Sequence, residues 1–147
     1  MKRKLQYSSR HLMFATAFVA VAIWSITTTI ARTRQNIEAS QSTYAARLVA
    51  QMCVAHMKAN GDAWPKDWEE LHDDFAPCLA RSGQTWTFAE LNGRVGVAWN
   101  FNPKDDQLGL ESSSVVWVAS DPTQEFYGIH PNEIVSQYLA TTIDSGG

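Results

Sequence analysis

With six Trp and six Phe among 147 residues and 45% hydrophobic side chains, the chain has ample material for a folded core, which excludes disorder outside the terminal Ser145, Gly146 and Gly147. The net charge of −3 conceals a division. The first 34 residues hold six Lys/Arg and no acid, and the remainder sets all fifteen Asp/Glu against six Lys/Arg, a balance of about −9. An anionic body of that kind excludes nucleic-acid binding, which requires a cationic surface to release counterions, and adsorption to anionic lipid.

Residues 1–11 form a basic stub carrying Lys2, Arg3, Lys4 and Arg10, and residues 12–31 carry no charged side chain. Rising about 1.5 Å per residue, a helix over 12–31 covers roughly 30 Å, the thickness of a bilayer's hydrocarbon core. The basic residues gathered before the span, against Arg32 and Arg34 after it, retain the amino terminus in the cytoplasm and send residues 32–147 across as an exported domain. The alternative is a cleaved signal peptide. Small residues at Ala20 and Ala22 or at Thr29 and Ala31 support it; an apolar run longer than the usual h-region of about 7 to 15 residues opposes it.

Beyond the span, Ile37, Tyr44, Ala45, Leu48, Val49, Met52 and His56 recur at helical spacing, so the membrane helix is expected to continue as a long amphipathic helix. Asn60 and Gly61 tolerate the left-handed conformation that ends it. A short helix is expected to open at Pro65, with Asp67 and Glu70 as a variant capping box ahead of Leu71 and Phe75, and to close at Pro77. The period then becomes alternating. Residues 85–88 predict a first strand, Asn92 and Gly93 the centre of a hairpin turn, and Val95, Val97, Trp99 and Phe101 the bulky face of a second strand. After a loop over 102–114, residues 115–119 predict a third strand, which Asp121 and Pro122 end. A last helix opens at Pro131, with Ile134, Val135, Tyr138 and Leu139 on one stripe. The expected fold class is α+β: a transmembrane helix continuing into a long amphipathic helix, a short helix, a small antiparallel sheet of about three strands and a C-terminal helix.

The run through Asn60, Gly61, Trp64, Pro65, Asp67, Glu70 and Leu71 resembles the segment that follows the long amino-terminal helix in type IV pilin-like proteins and type II secretion pseudopilins. The layout of basic stub, apolar helix, amphipathic extension and sheet is similar as well. The resemblance covers specific residues only over 61–71. It implies a small pilin-like exported domain on a single-pass protein of the bacterial inner membrane. The prepilin pattern of a Gly followed by an apolar run containing Glu is replaced here by Ser9, Arg10, His11, Leu12, Met13 and Phe14, so prepilin-peptidase processing and filament assembly do not follow from it.

Cys53 and Cys78 are the only cysteines, and both fall in the exported region, where disulfides persist. A bridge would staple the long helix to the region beyond the short one, closing a loop of about 26 residues and contributing roughly 3 kcal/mol. The alternative is two separately buried thiols. Glu69, Glu70, His72, Asp73 and Asp74 read as a solvated acidic face, since consecutive helical side chains diverge and do not meet at one ion. His130 with Glu133 reads as a helix-cap pair, and Ser112 to Ser114 lack a nucleophile-elbow context. Asn102, Asp105, Asp106 and Glu111 offer loop oxygens to calcium, as a late loop does in some pseudopilins, but without EF-hand spacing. Trp64, Trp68, Trp86, Trp99 and Trp117 read as core in preference to a stacking platform for glycan or peptide, and Trp24 belongs to the span.

No nucleophile, base and orienting group assemble in the sequence, and no cofactor or metal site is expected. The expected function is non-enzymatic: an envelope protein that contacts the lipid bilayer through residues 12–31 and whose exported domain serves assembly or scaffolding, by self-association or with an envelope protein partner. The alternative is a membrane-tethered binding module for cell-wall glycan, peptide or a partner protein.

Overall fold

The computed structural model describes residues 9–104, 114–126 and 128–145. Among them the element order is α1 (Ser9–Ala59), α2 (His72–Ser82), α3 (Phe88–Arg94), β1 (Val95–Val97), β2 (Val116–Val118) and α4 (Pro131–Ser145), a mixed helix-and-sheet architecture. The chain divides into two units, Met1–Glu38 and Ala39–Gly147, and α1 contributes to both.

In the second unit α1 forms one wall of the core. Ala45, Leu48, Val49, Met52 and His56 are buried, as their spacing predicts, and so are Ala46, Ala50, Cys53 and Met57. So wide a buried arc requires cover from more than one side. Ile37 and Tyr44, which share the predicted stripe, are instead 52% and 47% exposed. The helix ends where expected. The Asn60 amide donates to the His56 carbonyl at 3.0 Å and the Asp62 amide to that of Met57 at 2.9 Å, which satisfies carbonyls that a helix end otherwise orphans. Gly61 and Asp62 take φ values of 61° and 63°. Aspartate tolerates this left-handed region better than most residues, and here its carboxylate accepts a hydrogen bond from the Tyr138 hydroxyl.

The short helix lies later than predicted. Trp64 and Pro65 are buried, and residues 68–71 form turns ahead of α2. Asp67 Oδ1 accepts from the Glu69 and Glu70 amides at 2.9 and 3.1 Å, and the Glu70 carboxylate accepts from the Lys66 amide at 2.9 Å. The capping side chains therefore organise a turn. Pro77 sits inside α2 and does not close it. A proline there forfeits one helical bond, to the Asp73 carbonyl, and Asp73 is exposed to water. Gly83, at φ 67°, ends the helix.

Residues 85–88 form no strand. Thr87 caps α3 through a capping box: the Glu90 amide donates to Thr87 Oγ1 at 3.3 Å, and the Thr87 amide donates to Glu90 Oε2 at 2.8 Å. Two reciprocal bonds of this kind commit the following residues to a helix, so Asn92 and Gly93 lie in α3 and the expected hairpin turn is replaced.

Two strands, not three, are present among the described residues. They pair antiparallel, with Val95 opposite Val118, Gly96 opposite Trp117 and Val97 opposite Val116. The four valines are buried in the core. On the other face the Trp117 ring covers Gly96, where a Cβ would fall 2.3 Å from an indole carbon. Trp99 and Phe101 leave the strand because the chain turns after Ala98, the Trp99 amide donating to the Val97 carbonyl at 3.1 Å. Helix α4 opens at Pro131 as expected. Its Asn132 carboxamide accepts from the Val115 and Val116 amides at 3.1 and 3.0 Å, tying the helix to β2. Val135 is buried against the core, with Ile134, Tyr138 and Leu139 half-buried beside it.

Candidate functional site

In the first unit α1 is apolar and exposed. Phe14, Phe18 and Trp24 are 76%, 77% and 69% exposed, and Val19, Val21, Ile23, Ile26 and Ile30 also face outward. By length and composition this helix is long and apolar enough to cross a membrane. Its hydroxyls bond back to their own helix. Ser25 donates to the Val21 carbonyl at 2.9 Å, Thr28 to Trp24 at 3.0 Å, Thr29 to Ser25 at 2.8 Å and Thr33 to Thr29 at 2.9 Å. Each hydroxyl is thereby satisfied within the segment, as hydrocarbon surroundings demand of polar groups.

In the second unit the acidic run at 69–74 divides. Glu70 Oε2 lies 3.7 Å from His56 Nε2, and Asp74 Oδ2 lies 3.5 Å from Nδ1. Glu69, His72 and Asp73 are exposed. Two members of the predicted solvated face are thus anchored to α1. Burial pushes the Asp74 carboxyl above the usual carboxylate range, with His56 opposing the shift. The described residues lining the adjoining cavity include Asn60, Trp64 and Lys66 beside His56, Glu70 and Asp74. No three His, Cys, Asp or Glu side chains among the described residues are placed to hold a metal ion.

Cys53 of α1 and Cys78 of α2 are buried free thiols within one core cluster. Burial pushes both above the ordinary thiol value. The Asp74 carboxylate adds to the effect at Cys53, and the Arg81 guanidinium, 3.3 Å from Cys78 Sγ, opposes it at Cys78. Thiols held protonated in this way are poor nucleophiles.

The five tryptophans of the second unit meet neighbouring side chains or backbone. Trp64 donates its indole N–H to the Ala98 carbonyl at 2.9 Å and meets Phe101 edge-on at 4.9 Å. Trp68 is half-buried and packs edge-on with Phe88 at 5.7 Å and Trp99 at 5.6 Å. The Arg94 guanidinium lies 5.3 Å from the Trp86 ring centre, and Trp117 covers Gly96. At the start of α4 the Glu133 amide donates to the His130 carbonyl at 3.0 Å, and burial lowers the His130 pKa. Ser114 Oγ accepts from the Asn132 side chain at 3.1 Å. Ser112 and Ser113, and Asp105, Asp106 and Glu111 of the candidate calcium set, lie outside the described residues.

A further arrangement has no counterpart among the sequence expectations. Arg47 and Lys58 of α1 and Arg81 of α2 line a groove of about 520 Å³, with Leu48, Val54, Ala55 and Ile134 as its apolar lining. Tyr44, Gln51, Ser82 and Gln84 complete it, and no described Asp or Glu borders it. The spacing of Tyr44, Arg47, Gln51, Val54 and Lys58 at three and four residues is legible as a second stripe of α1. Nothing local announces that Arg81 and Ile134 join it.

Compared with protein-family models, with curated proteins and with solved structures, the chain matches none.

Proposed function

We propose that the protein is a non-enzymatic, single-pass envelope protein of the bacterial inner membrane. Residues 1–11 form its cytoplasmic stub, residues 12–31 its anchor, and residues 32–147 an exported, pilin-like domain for assembly or scaffolding. The observation that carries this reading is the exposed apolar surface of α1 around Phe14, Phe18, Trp24 and Ile30. Apolar surface left in water is unfavourable by about 25 cal/mol per Å², and a bilayer removes that cost. The basic residues before the span set the orientation. Export also places Cys53 and Cys78, which share one core cluster, where oxidation to a bridge is favoured.

Replacing Ile23 and Ile26 together with Asp tests the anchor. Each charge near the middle of the span disfavours insertion by about 2.5 to 3.5 kcal/mol, so the variant should leave the membrane pellet on alkaline extraction. Retention equal to the wild type overturns the anchor. A mature chain beginning after Ala22 or Ala31 replaces it with a signal peptide. The second reading, a membrane-tethered binding module, is favoured by the basic groove at Arg47, Lys58 and Arg81.

A further inference from the structure

Three of the six Lys/Arg that follow residue 34 meet in one groove on an otherwise anionic domain. We infer that this groove binds an extended, acidic peptide segment of a partner protein. The inference deepens the binding-module reading and rests on it.

Length argues for a chain over a small anion. Arg47 and Lys58 are eleven positions apart on α1, or about 16 Å at 1.5 Å per residue. About five extended residues at roughly 3.3 Å each match that backbone span. Chemistry argues for a peptide over a plain polyanion. The apolar lining of Leu48, Val54 and Ile134 accepts the alternate side chains of an extended segment, while the Gln51 and Gln84 carboxamides can pair with its backbone. The volume falls within the range of about 300 to 1,000 Å³ common for ligand cavities.

The cations are each positioned by neighbouring groups. Arg47 Nε donates to the Ile129 carbonyl at 2.7 Å, Arg81 Nε to the Pro77 carbonyl at 3.2 Å, and the Lys58 ammonium lies 5.4 Å from the Tyr138 ring centre. Neither Lys58 nor Arg81 forms an ion pair with a described carboxylate. Charges positioned beforehand lose less freedom on binding. Negative charge on the rest of the domain repels acidic segments elsewhere, so attraction is confined to the groove.

The test uses the full chain in nanodiscs of zwitterionic lipid and a fluorescein-labelled hexapeptide of alternating Glu and Leu, read by anisotropy. The peptide should bind, the Gln-for-Glu peptide should not, and raising NaCl from about 50 to 300 mM should weaken binding by screening. Lys58→Glu combined with Arg81→Glu should weaken it about tenfold or more. Both residues are exposed; if the reversed pair unfolds by circular dichroism, Lys58→Gln with Arg81→Gln carries the test and should also weaken binding. Equal affinity for the two peptides, or unchanged affinity in a folded variant, overturns the inference. Tighter binding of polyphosphate than of the peptide overturns it in favour of a polyanion. Self-association that the peptide does not compete with and that the same variants abolish overturns it in favour of a second copy. Membrane retention of the same samples is scored separately, so failure here leaves the anchor standing.

Discussion

Replacing Trp64 separates core packing from surface display in the segment after α1. The residue is 7% exposed, its indole N–H donates to the Ala98 carbonyl at 2.9 Å, and its ring meets Phe101 at 4.9 Å. Truncating a buried large aromatic costs about 3 to 5 kcal/mol. The edge-on pair adds about 0.5 to 1.5 kcal/mol, and the Ala98 carbonyl, left without its donor, about 1 kcal/mol. These terms overlap, so Trp64→Ala should cost about 4 to 5 kcal/mol in total, most of the stability of a domain near the lower end of the usual 5 to 15 kcal/mol. Trp64→Phe keeps most of the volume and should cost about 1 to 2 kcal/mol, chiefly through the lost hydrogen bond. Trp68 is half-buried between Phe88 and Trp99, so Trp68→Ala should cost about 2 kcal/mol, below the range for full burial. Urea unfolding of the full chain in detergent micelles, followed by circular dichroism, ranks the three. A Trp64→Ala cost below about 1 kcal/mol, or a larger cost for Trp68→Ala, refutes the packing described here.

Gly96→Ala should destabilise the sheet by about 1 to 3 kcal/mol through overpacking against Trp117, and adding Trp117→Val should recover part of the loss; no recovery in the double variant contradicts the contact. Hydrogen bonding to the Thr87 amide lowers the Glu90 pKa, so its contribution is present above the unfolded-state value and disappears as pH falls through the lowered folded one. Glu90→Gln should therefore flatten the acid limb of the stability profile, and an unchanged limb rules out the box as its source. If Cys53 and Cys78 are bridged after export, thiol titration of the unfolded, unreduced protein should find none, and Cys78→Ser should lower the unfolding midpoint. Two titratable thiols remove the staple.

Most of α1 was legible because its signals are long and redundant: an uncharged span, a stripe through Leu48, Val49 and Met52, and Asn60 with Gly61 at the end. The start of α4 at Pro131 was legible for a similar reason, a proline opening an apolar stripe. The middle was misread where two local signals compete. Asn92 and Gly93 suit a hairpin, but Thr87 with Glu90 three residues later caps a helix that runs through both. The turn signal loses because two capping bonds hold the helix that contains it. Asp67 and Glu70 carried the right chemistry but closed a turn, and Pro77 is tolerated within α2 because only one backbone bond is forfeited. The basic groove was hidden for another reason. Its cations stand far apart in the chain, and only the packing of α2 and α4 beside α1 brings Arg81 and Ile134 to Arg47 and Lys58.

In the proposed function, one apolar helix holds the chain in a membrane with everything after it outside. The most direct measurement is a paired reporter fusion after Gly147, with alkaline phosphatase in one strain and green fluorescent protein in another, each followed by alkaline extraction. Phosphatase activity without fluorescence, from a full-length chain that stays in the membrane pellet, is the predicted result. Fluorescence without phosphatase activity would contradict the orientation, and a fusion found wholly in the soluble fraction would contradict the anchor.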